Sequence, residues 1–472
     1  MESTGTNSRI ASVLLELDRD SPEPLHRQVE AGIRDAIRAG RLAHHARMPS
    51  SRALAHDLDV SRGVVIEAYQ QLTSEGYLAA TQGGYTHVAS SEAPPPPPAP
   101  APRERPAIDM LYGRPDVNQF PRDAWARSAR RMFSAAPHER LIYLDGAGTP
   151  ELRSALAEHL TRTRGAWAVA DNVIVTVGFA QAFHLASTVL FASGARRLAV
   201  EDPSYDDVRP VAAAAGLEII GIPVDHDGLD VDALAHSAAD AVLVTPAHQL
   251  TGAVMPPERR RALAEWARRS SAIIIEDDYD SDFRYDHEPI GALQGLAPDQ
   301  VLYAGSASKT LAPGLRLGWL VAPSRMVADL AAAKIDADRG SSVFDQLTFA
   351  DFLRNGDFDR HLRRVRPLYH RRRDALLEAM REELPDFVPA GVAAGLHLLA
   401  WLPPDVSELA LVEAAARRGV GIEALAPHRI QPHERGGVLI GFARSDEAVI
   451  RQGTALIANA VTELRGSSPT GT

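Results

Sequence analysis

The 472-residue chain contains no cysteine, which excludes disulfides and thiolate metal sites and fits a reducing compartment. It has no basic excess either. With a formal net charge of -11 and a pI near 5.9, no global positive field draws nucleic acid, so any DNA contact must be local. The 17 histidines show no ligand spacing, and no metal is expected. A membrane span is also excluded: the charge-free stretch Asn172 to Ala195 is long enough, but Gly178, Gln181 and His184 interrupt it, and its start reads as a buried strand feeding a helix. At the N-terminus Glu2, Glu16, Asp18 and Asp20 surround only a short apolar run, unlike a signal peptide. A soluble, cytoplasmic protein of two or three domains is expected.

Lysine is nearly missing. Of 50 basic residues only Lys309 and Lys334 are lysines. Arginine effectively cannot lose its proton to attack a carbonyl, whereas lysine can. Lys334, within the run Leu330 to Lys334, reads as an exposed surface lysine. Lys309 differs: it follows Val301 to Ala304, Ser306 and Ser308 and precedes Pro313-Gly314, so it should emerge at a strand end, where open α/β sheets place ligands.

Three other features could serve the same site. Ile273 to Tyr279 is a buried strand ending in acids, including Asp277. Gly178-Phe179-Ala180 opens a helix whose free N–H groups and positive end suit an anion, with Ser306 and Ser308 adding hydroxyls. Arg316 can clamp an anion with two parallel hydrogen bonds.

Along the chain, residues 1–20 read as a loose tail and 21–89 as a small helical domain. Leu25, Val29, Ile33 and Ile37 recur every four residues, and Gly40 stops that helix. A second helix is predicted from Ser51 through Leu58 and a third from Ser61 through about Glu75. Two strands follow between Tyr77 and Val88, around Gly83-Gly84. This is the pattern of a winged helix-turn-helix. Seven arginines balance seven acids between Ser21 and Val88, so charge alone does not mark it as a DNA binder.

Residues 90–107 hold a five-proline run at Pro94 to Pro98 and further prolines at 100, 102 and 106. They read as a stiff linker reaching roughly 55 Å in the polyproline form. From 108 to 472, seven apolar runs between Val173 and Val321 alternate with helical patterns, predicting a mostly parallel sheet with helices on both faces. A smaller α/β lobe is expected from about 365, with strands near Leu396–Leu402 and Val438–Phe442.

Two resemblances sharpen this reading. The pattern Ser-x-Ser-Lys-x-Leu-x-Pro-Gly-x-Arg over residues 306–316 resembles the cofactor-lysine motif of pyridoxal-phosphate enzymes with the aspartate aminotransferase fold, fold type I. Pro24-Leu25, Pro49 to Ala55, Val60-Ser61-Arg62 and Glu67 to Leu72 resemble the DNA-binding domain of GntR-type regulators. Together, in this order, they resemble the MocR subfamily. The resemblance implies Lys309 as the Schiff-base lysine of pyridoxal 5'-phosphate, Asp277 on the ring nitrogen, Tyr279 on the ring oxygen and Tyr205 over the ring. Gly178, Phe179, Ala180, Ser306, Ser308 and Arg316 would hold the phosphate, and Arg444 an effector carboxylate. Ser50, Arg52, Ser61, Arg62 and Tyr69 would contact an operator in double-stranded DNA, and a head-to-tail homodimer is implied. The loop Thr245 to Gly252 lacks the proline usual before Thr-Gly, leaving its role open. Two alternatives to a regulator stand: an active aminotransferase with an accessory reader, or a pure sensor of the cofactor governing vitamin B6 synthesis.

Overall fold

The computed structural model describes residues 17–81, 85–89, 106–279, 281–285, 291–391, 394–433 and 435–467. Its contacts divide the chain into two compact units at about residue 103. Most of the expected linker and the Gly83-Gly84 wing tip lie outside the described residues.

In the first unit, α1 (Leu25–Arg38) buries Val29, Ile33 and Ile37 on one stripe, as their spacing of four predicts. α2 (Ser51–Asp57) and α3 (Arg62–Ser74) form the helix pair, joined by a turn in which Asp59 takes φ 50°. That left-handed residue ends α2 one position before the expected Leu58. Strands β1 (Leu78–Ala80) and β2 (Thr86–Val88) pair antiparallel with Leu78 opposite Val88. Leu54, Val65, Leu72, Leu78 and Val88 close the core with the α1 stripe. Each such side chain contributes about 1.5–3 kcal/mol of burial, which is what holds helices this short.

The loose tail does not extend to residue 20. Asp18 N–H donates to Gln28 Oε1 at 2.8 Å, and Arg19 Nη2 donates to the Asp59 carbonyl at 2.7 Å. Asp18 and Arg19 are thus tied to the first helix and to the turn of the helix pair.

The second unit starts with β3 (Ile108–Asp109) and is built on an eight-stranded sheet. Its strands are β4 (Val173–Thr176), β5 (Arg197–Asp202), β6 (Glu218–Asp225), β7 (Gly228–Leu229), β8 (Ala241–Val244), β9 (Ile273–Asp278), β10 (Val301–Ser306) and β11 (Gly318–Val321), in the spatial order β4-β11-β10-β9-β8-β5-β6-β7. The central run β10-β9-β8-β5-β6 is parallel, while β11 is antiparallel to both neighbours and β7 to β6. Successive residues face opposite sides. Leu198, Val200, Leu243 and Ile275 join one apolar cluster, whereas Ala199, Val242, Val244 and Ile274 join another across the sheet. Burial on both faces explains why these strands read as unbroken apolar runs.

The smaller lobe carries β12 (Val388–Ala390), β13 (His397–Trp401), β14 (Val420–Gly421), β15 (Glu423–Ala424) and β16 (Gly437–Gly441). The sheet order is β12-β13-β16-β15, and β14 pairs parallel with β3. The expected lobe boundary near 365 falls inside the 27-residue helix Asp357–Glu383, which continues through Pro367. Burial of Leu362, Val365, Tyr369 and Leu376 on both sides of the proline outweighs its roughly 3 kcal/mol penalty. Among the described residues, no helix is long and apolar enough to cross a membrane.

Candidate cofactor and effector site

Parallel strands deliver their C-terminal ends together, and here β9 and β10 run side by side with Asp277 level with Ala304. β9 thus ends in a buried carboxylate while β10 leads, three residues past its end, to Lys309. Both side chains line one cavity of about 530 Å3. Lys309 Nζ donates to the Gly113 carbonyl at 2.7 Å and stands 5.1 Å from the centre of the Tyr279 ring. A Cβ on Gly113, whose φ is 68°, would fall 2.4 Å from Tyr279 Oη and 3.4 Å from Lys309 Nζ. Glycine is required there because the backbone passes directly beneath both groups.

The same cavity is bordered by a helix start and an arginine. Gly178, at φ 112°, caps the helix Phe179–Ala192, and a Cβ on it would lie 3.6 Å from Arg316 Nη1. Phe179 and Ala180 of the first helical turn, Ser306, Ser308 and Arg316 all line this cavity, donors of a kind that suits an anion. Arg316 itself adopts φ 52° at the end of the Pro313-Gly314-Leu315 turn. Tyr205, half-buried, lines the same cavity and donates its hydroxyl to Asp207.

Arg444 also faces the cavity, its Nη1 2.5 Å from Asp109 Oδ2. Several lining residues, among them Gly113, Arg114 and Gln249, carry no signal of the site in the local sequence pattern. Arg114 Nη1 lies 2.8 Å from the same Asp109 Oδ2. The run Gly113-Arg114-Pro115 reads only as a turn pattern ahead of Asp116. Gln249 comes from the loop Thr245 to Gly252. Its backbone N–H donates to Thr245 Oγ1 at 3.2 Å, and Thr245 in turn bonds Glu201 Oε2 at 2.7 Å. Burial pushes the Glu201 carboxyl up to about 8. His248, buried beside it, is pushed down to about 4 by the same desolvation and donates through Nε2 to the Pro203 carbonyl, 3.0 Å away, while its Nδ1 accepts the Thr251 N–H.

The other lysine does not behave as expected. Lys334 is 1% exposed, bonded to Asp338 Oδ2 at 2.6 Å and Ser341 Oγ at 2.9 Å. The surface reading failed because its helix packs its lysine-bearing face inward, against residues distant in sequence.

In the first unit, the Ser50 and Ser61 hydroxyls accept from the Ala53 and Val64 N–H groups, capping α2 and α3. Arg52 and Arg62 are exposed on the first turns of those helices, Arg62 Nε donating to Ser51 Oγ at 3.2 Å. Tyr69 is not with them. Its ring is buried in the domain core and its hydroxyl donates to the Pro49 carbonyl at 2.9 Å, so it serves packing rather than a groove-facing surface.

These two units define the class: a helix-turn-helix reader joined to an aminotransferase-like domain whose fold family works with pyridoxal phosphate. Comparison with known proteins agrees. A family model described as aminotransferase class I and II matches residues 109–450, and one described as bacterial regulatory proteins of the gntR family matches 25–88. The chain is 31% identical over 479 residues to the probable rhizopine catabolism regulatory protein MocR of Rhizobium meliloti, covering 96% of this chain and 97% of that one. It is 32% identical over 471 residues to the pyridoxine biosynthesis transcriptional regulator PdxR of Corynebacterium glutamicum, covering 96% and 99%. Among solved structures, a multiple substrate aminotransferase from Thermococcus profundus aligns with a TM-score of 0.70 at 26% identity, over 76% of this chain and 92% of that chain. The chain belongs to the MocR subfamily of GntR-type regulators.

Proposed function

We propose that the protein is a cytoplasmic transcription regulator that binds pyridoxal 5'-phosphate at Lys309 and changes its hold on operator DNA with the state of that cofactor. The observation that carries this is the meeting of Lys309, Asp277 and the Gly178–Arg316 anion cradle in one cavity, in a chain that also carries a capped helix-turn-helix. The residues fit the group. An amine, a buried carboxylate and a set of N–H, hydroxyl and guanidinium donors match its aldehyde, ring nitrogen and phosphate, and the space beneath Gly113 admits no side chain. When bound, pyridoxal phosphate supplies an aldehyde for amines and a ring that draws electrons. Asp277 would keep the ring nitrogen protonated, Tyr279 and Gln249 would hydrogen-bond the ring oxygen, and Tyr205 would cover the ring face. Arg444 would orient an amino-compound effector by its carboxylate.

Arg52 and Arg62, with the capped helix starts, would meet phosphates and base edges of the operator. A second copy is the expected partner. Ile142 and Tyr143 stand 67% and 86% exposed, and the exposed Phe133 packs at a 32° tilt on Phe344 with ring centroids 4.8 Å apart, apolar surface that a homodimer would cover.

The test is a footprint of the purified full chain on the DNA upstream of its own gene, with and without pyridoxal phosphate, for wild type and Lys309→Ala. Protection that changes with cofactor only in wild type is expected. A second reading, aminotransferase turnover, is favoured by Arg444, Lys309 and Asp277 facing the same cavity. DNA left unprotected in every state, together with steady release of keto acid from added amino acids, would replace the regulator reading with that one.

A further inference from the structure

Two guanidinium groups that face the cavity are tied to one carboxylate behind it. Asp109 Oδ2 lies 2.5 Å from Arg444 Nη1 and 2.8 Å from Arg114 Nη1. The Arg444 and Arg114 side chains are 41% and 45% exposed and Asp109 only 15%, so a ligand in the cavity reaches the arginines before the acid. An oxygen receiving two guanidinium donors is the arrangement an incoming carboxylate would itself adopt. Glu423, the other acid that feels the charge of Arg114, is pushed up to about 7 by burial, so near neutral pH it offers Arg114 only part of a countercharge.

Asp109 also holds the point where the domain meets the proline-rich stretch. It is the second residue of β3, a strand of two residues. That strand is held by Ile108 N–H to the Gly419 carbonyl at 2.9 Å and Met110 N–H to the Gly421 carbonyl at 3.0 Å. Pro106 packs so closely on this pair that a Cβ on Gly421 would fall 2.7 Å from its Cγ. A third backbone bond, Gly441 N–H to the Met110 carbonyl at 2.7 Å, and the burial of Ile108 and Met110 anchor its two ends, while the ion pairs of Asp109 fix its cavity-facing side.

We propose that Asp109 and the carboxylate of an amino-acid effector compete for Arg444 and Arg114, and that displacing Asp109 loosens β3 and passes the signal into the proline-rich stretch. This rests on the reading of Arg444 as the effector's anchor. It names the effector class as amines carrying a carboxylate, and it gives the effector a differential interaction with two arrangements of one strand, which a population shift requires.

The experiment uses the full chain loaded with pyridoxal phosphate. Binding of L-alanine, L-glutamate, β-alanine and the carboxylate-free propylamine is followed by the absorption of the bound cofactor, and DNA binding by footprint. Asp109→Asn is expected to bind at least one of the carboxylate-bearing amines about tenfold more tightly than wild type, to bind propylamine unchanged, and to show without any amine the footprint of amine-saturated wild type. In wild type, exchange of the 108–111 amides should quicken at least fivefold with the bound amino acid and not with propylamine, a readout independent of how well the variant folds. Unchanged or weaker amino-acid binding by Asp109→Asn would make Asp109 a fixed support for Arg444 and overturn the competition. Unchanged or slowed amide exchange in wild type would overturn it too. If wild type binds none of the carboxylate-bearing amines, the amino-acid reading of Arg444 fails and takes this inference with it, whereas binding by wild type with the wrong sign in the variant defeats the inference alone.

Discussion

Lys334 Nζ lies 2.6 Å from Asp338 Oδ2, and that oxygen also accepts from Gln181 Nε2 at 2.7 Å. Gln181 Oε1 in turn accepts the Val177 N–H at 3.0 Å, immediately before the Gly178 turn of the anion cradle. The second lysine of the chain is thereby wired to the loop that would hold the cofactor's phosphate. Desolvation lowers the Lys334 pKa while Asp338 opposes that shift. Replacing Lys334 with methionine should cost about 2 kcal/mol, less than for a fully enclosed pair because Asp338 keeps some solvent contact. A cofactor titration of the same variant should show weaker binding, although Lys334 lines no part of the cavity.

Arg372 offers a parallel case. Its Nη1 and Nη2 both lie 3.1 Å from the buried Asp116 Oδ2, and Nη1 also donates to the Ala443 carbonyl. One guanidinium therefore ties the loop carrying Arg114 to the residue before Arg444. Arg372→Met leaves Asp116 buried without its cation and should cost about 3–5 kcal/mol in chemical denaturation. Amino-acid binding should weaken with it, since both cavity arginines lose their shared support.

The reader separates packing from contact. Tyr69→Phe should destabilise the first unit by about 1 kcal/mol, because the Pro49 carbonyl loses its partner, and should leave the salt dependence of DNA binding unchanged. Arg52→Ala and Arg62→Ala should do the reverse, each lowering the slope of log affinity against log salt by about 1 with little effect on melting. A slope unaltered in both arginine variants would remove these residues from the interface.

Stability should fall on the alkaline side for a reason located at Glu201. Its folded pKa, about 8, lies above the unfolded carboxylate value. Between the two values the folded chain holds a proton the unfolded chain has lost, so this stabilisation is complete below about pH 4.5 and declines as pH rises through about 8. Glu201→Gln keeps an acceptor for Thr245 and cannot ionise. Thermal melts compared at pH 6 and pH 9 should show the variant gaining on wild type at the higher pH, by roughly 1–3 kcal/mol. A constant difference between the two proteins would mean that Glu201 does not titrate in this range.

Much of this was open to reading one residue at a time. The spacing of Val29, Ile33 and Ile37 gave α1, and apolar runs bounded by turns gave the central strands, because both patterns are set by the local period of the backbone. The chemistry of Lys309 stood out through the near absence of other lysines and the long motif around it. Tyr69 and Lys334 were misplaced for a common reason. Both residue types have apolar stems and polar tips, and whether such a side chain lies inside or outside depends on what packs on its face, Pro49 for Tyr69 and the helix Phe179–Ala192 for the helix of Lys334, which local patterning does not reveal.

What the sequence determined by itself was therefore the set of elements and the order of reader, proline-rich stretch and aminotransferase-like domain, and it singled out Lys309 as the candidate amine. Tertiary structure alone decided what surrounds that amine. Gly113, Arg114, Gln249 and Asp109 reach the cavity region from segments tens to hundreds of residues away from Lys309, brought there by the order of strands in the sheet and by the pairing of β3 with β14. No local period encodes such a meeting, because it is long-range burial and strand pairing, rather than neighbouring residues, that bring those side chains together.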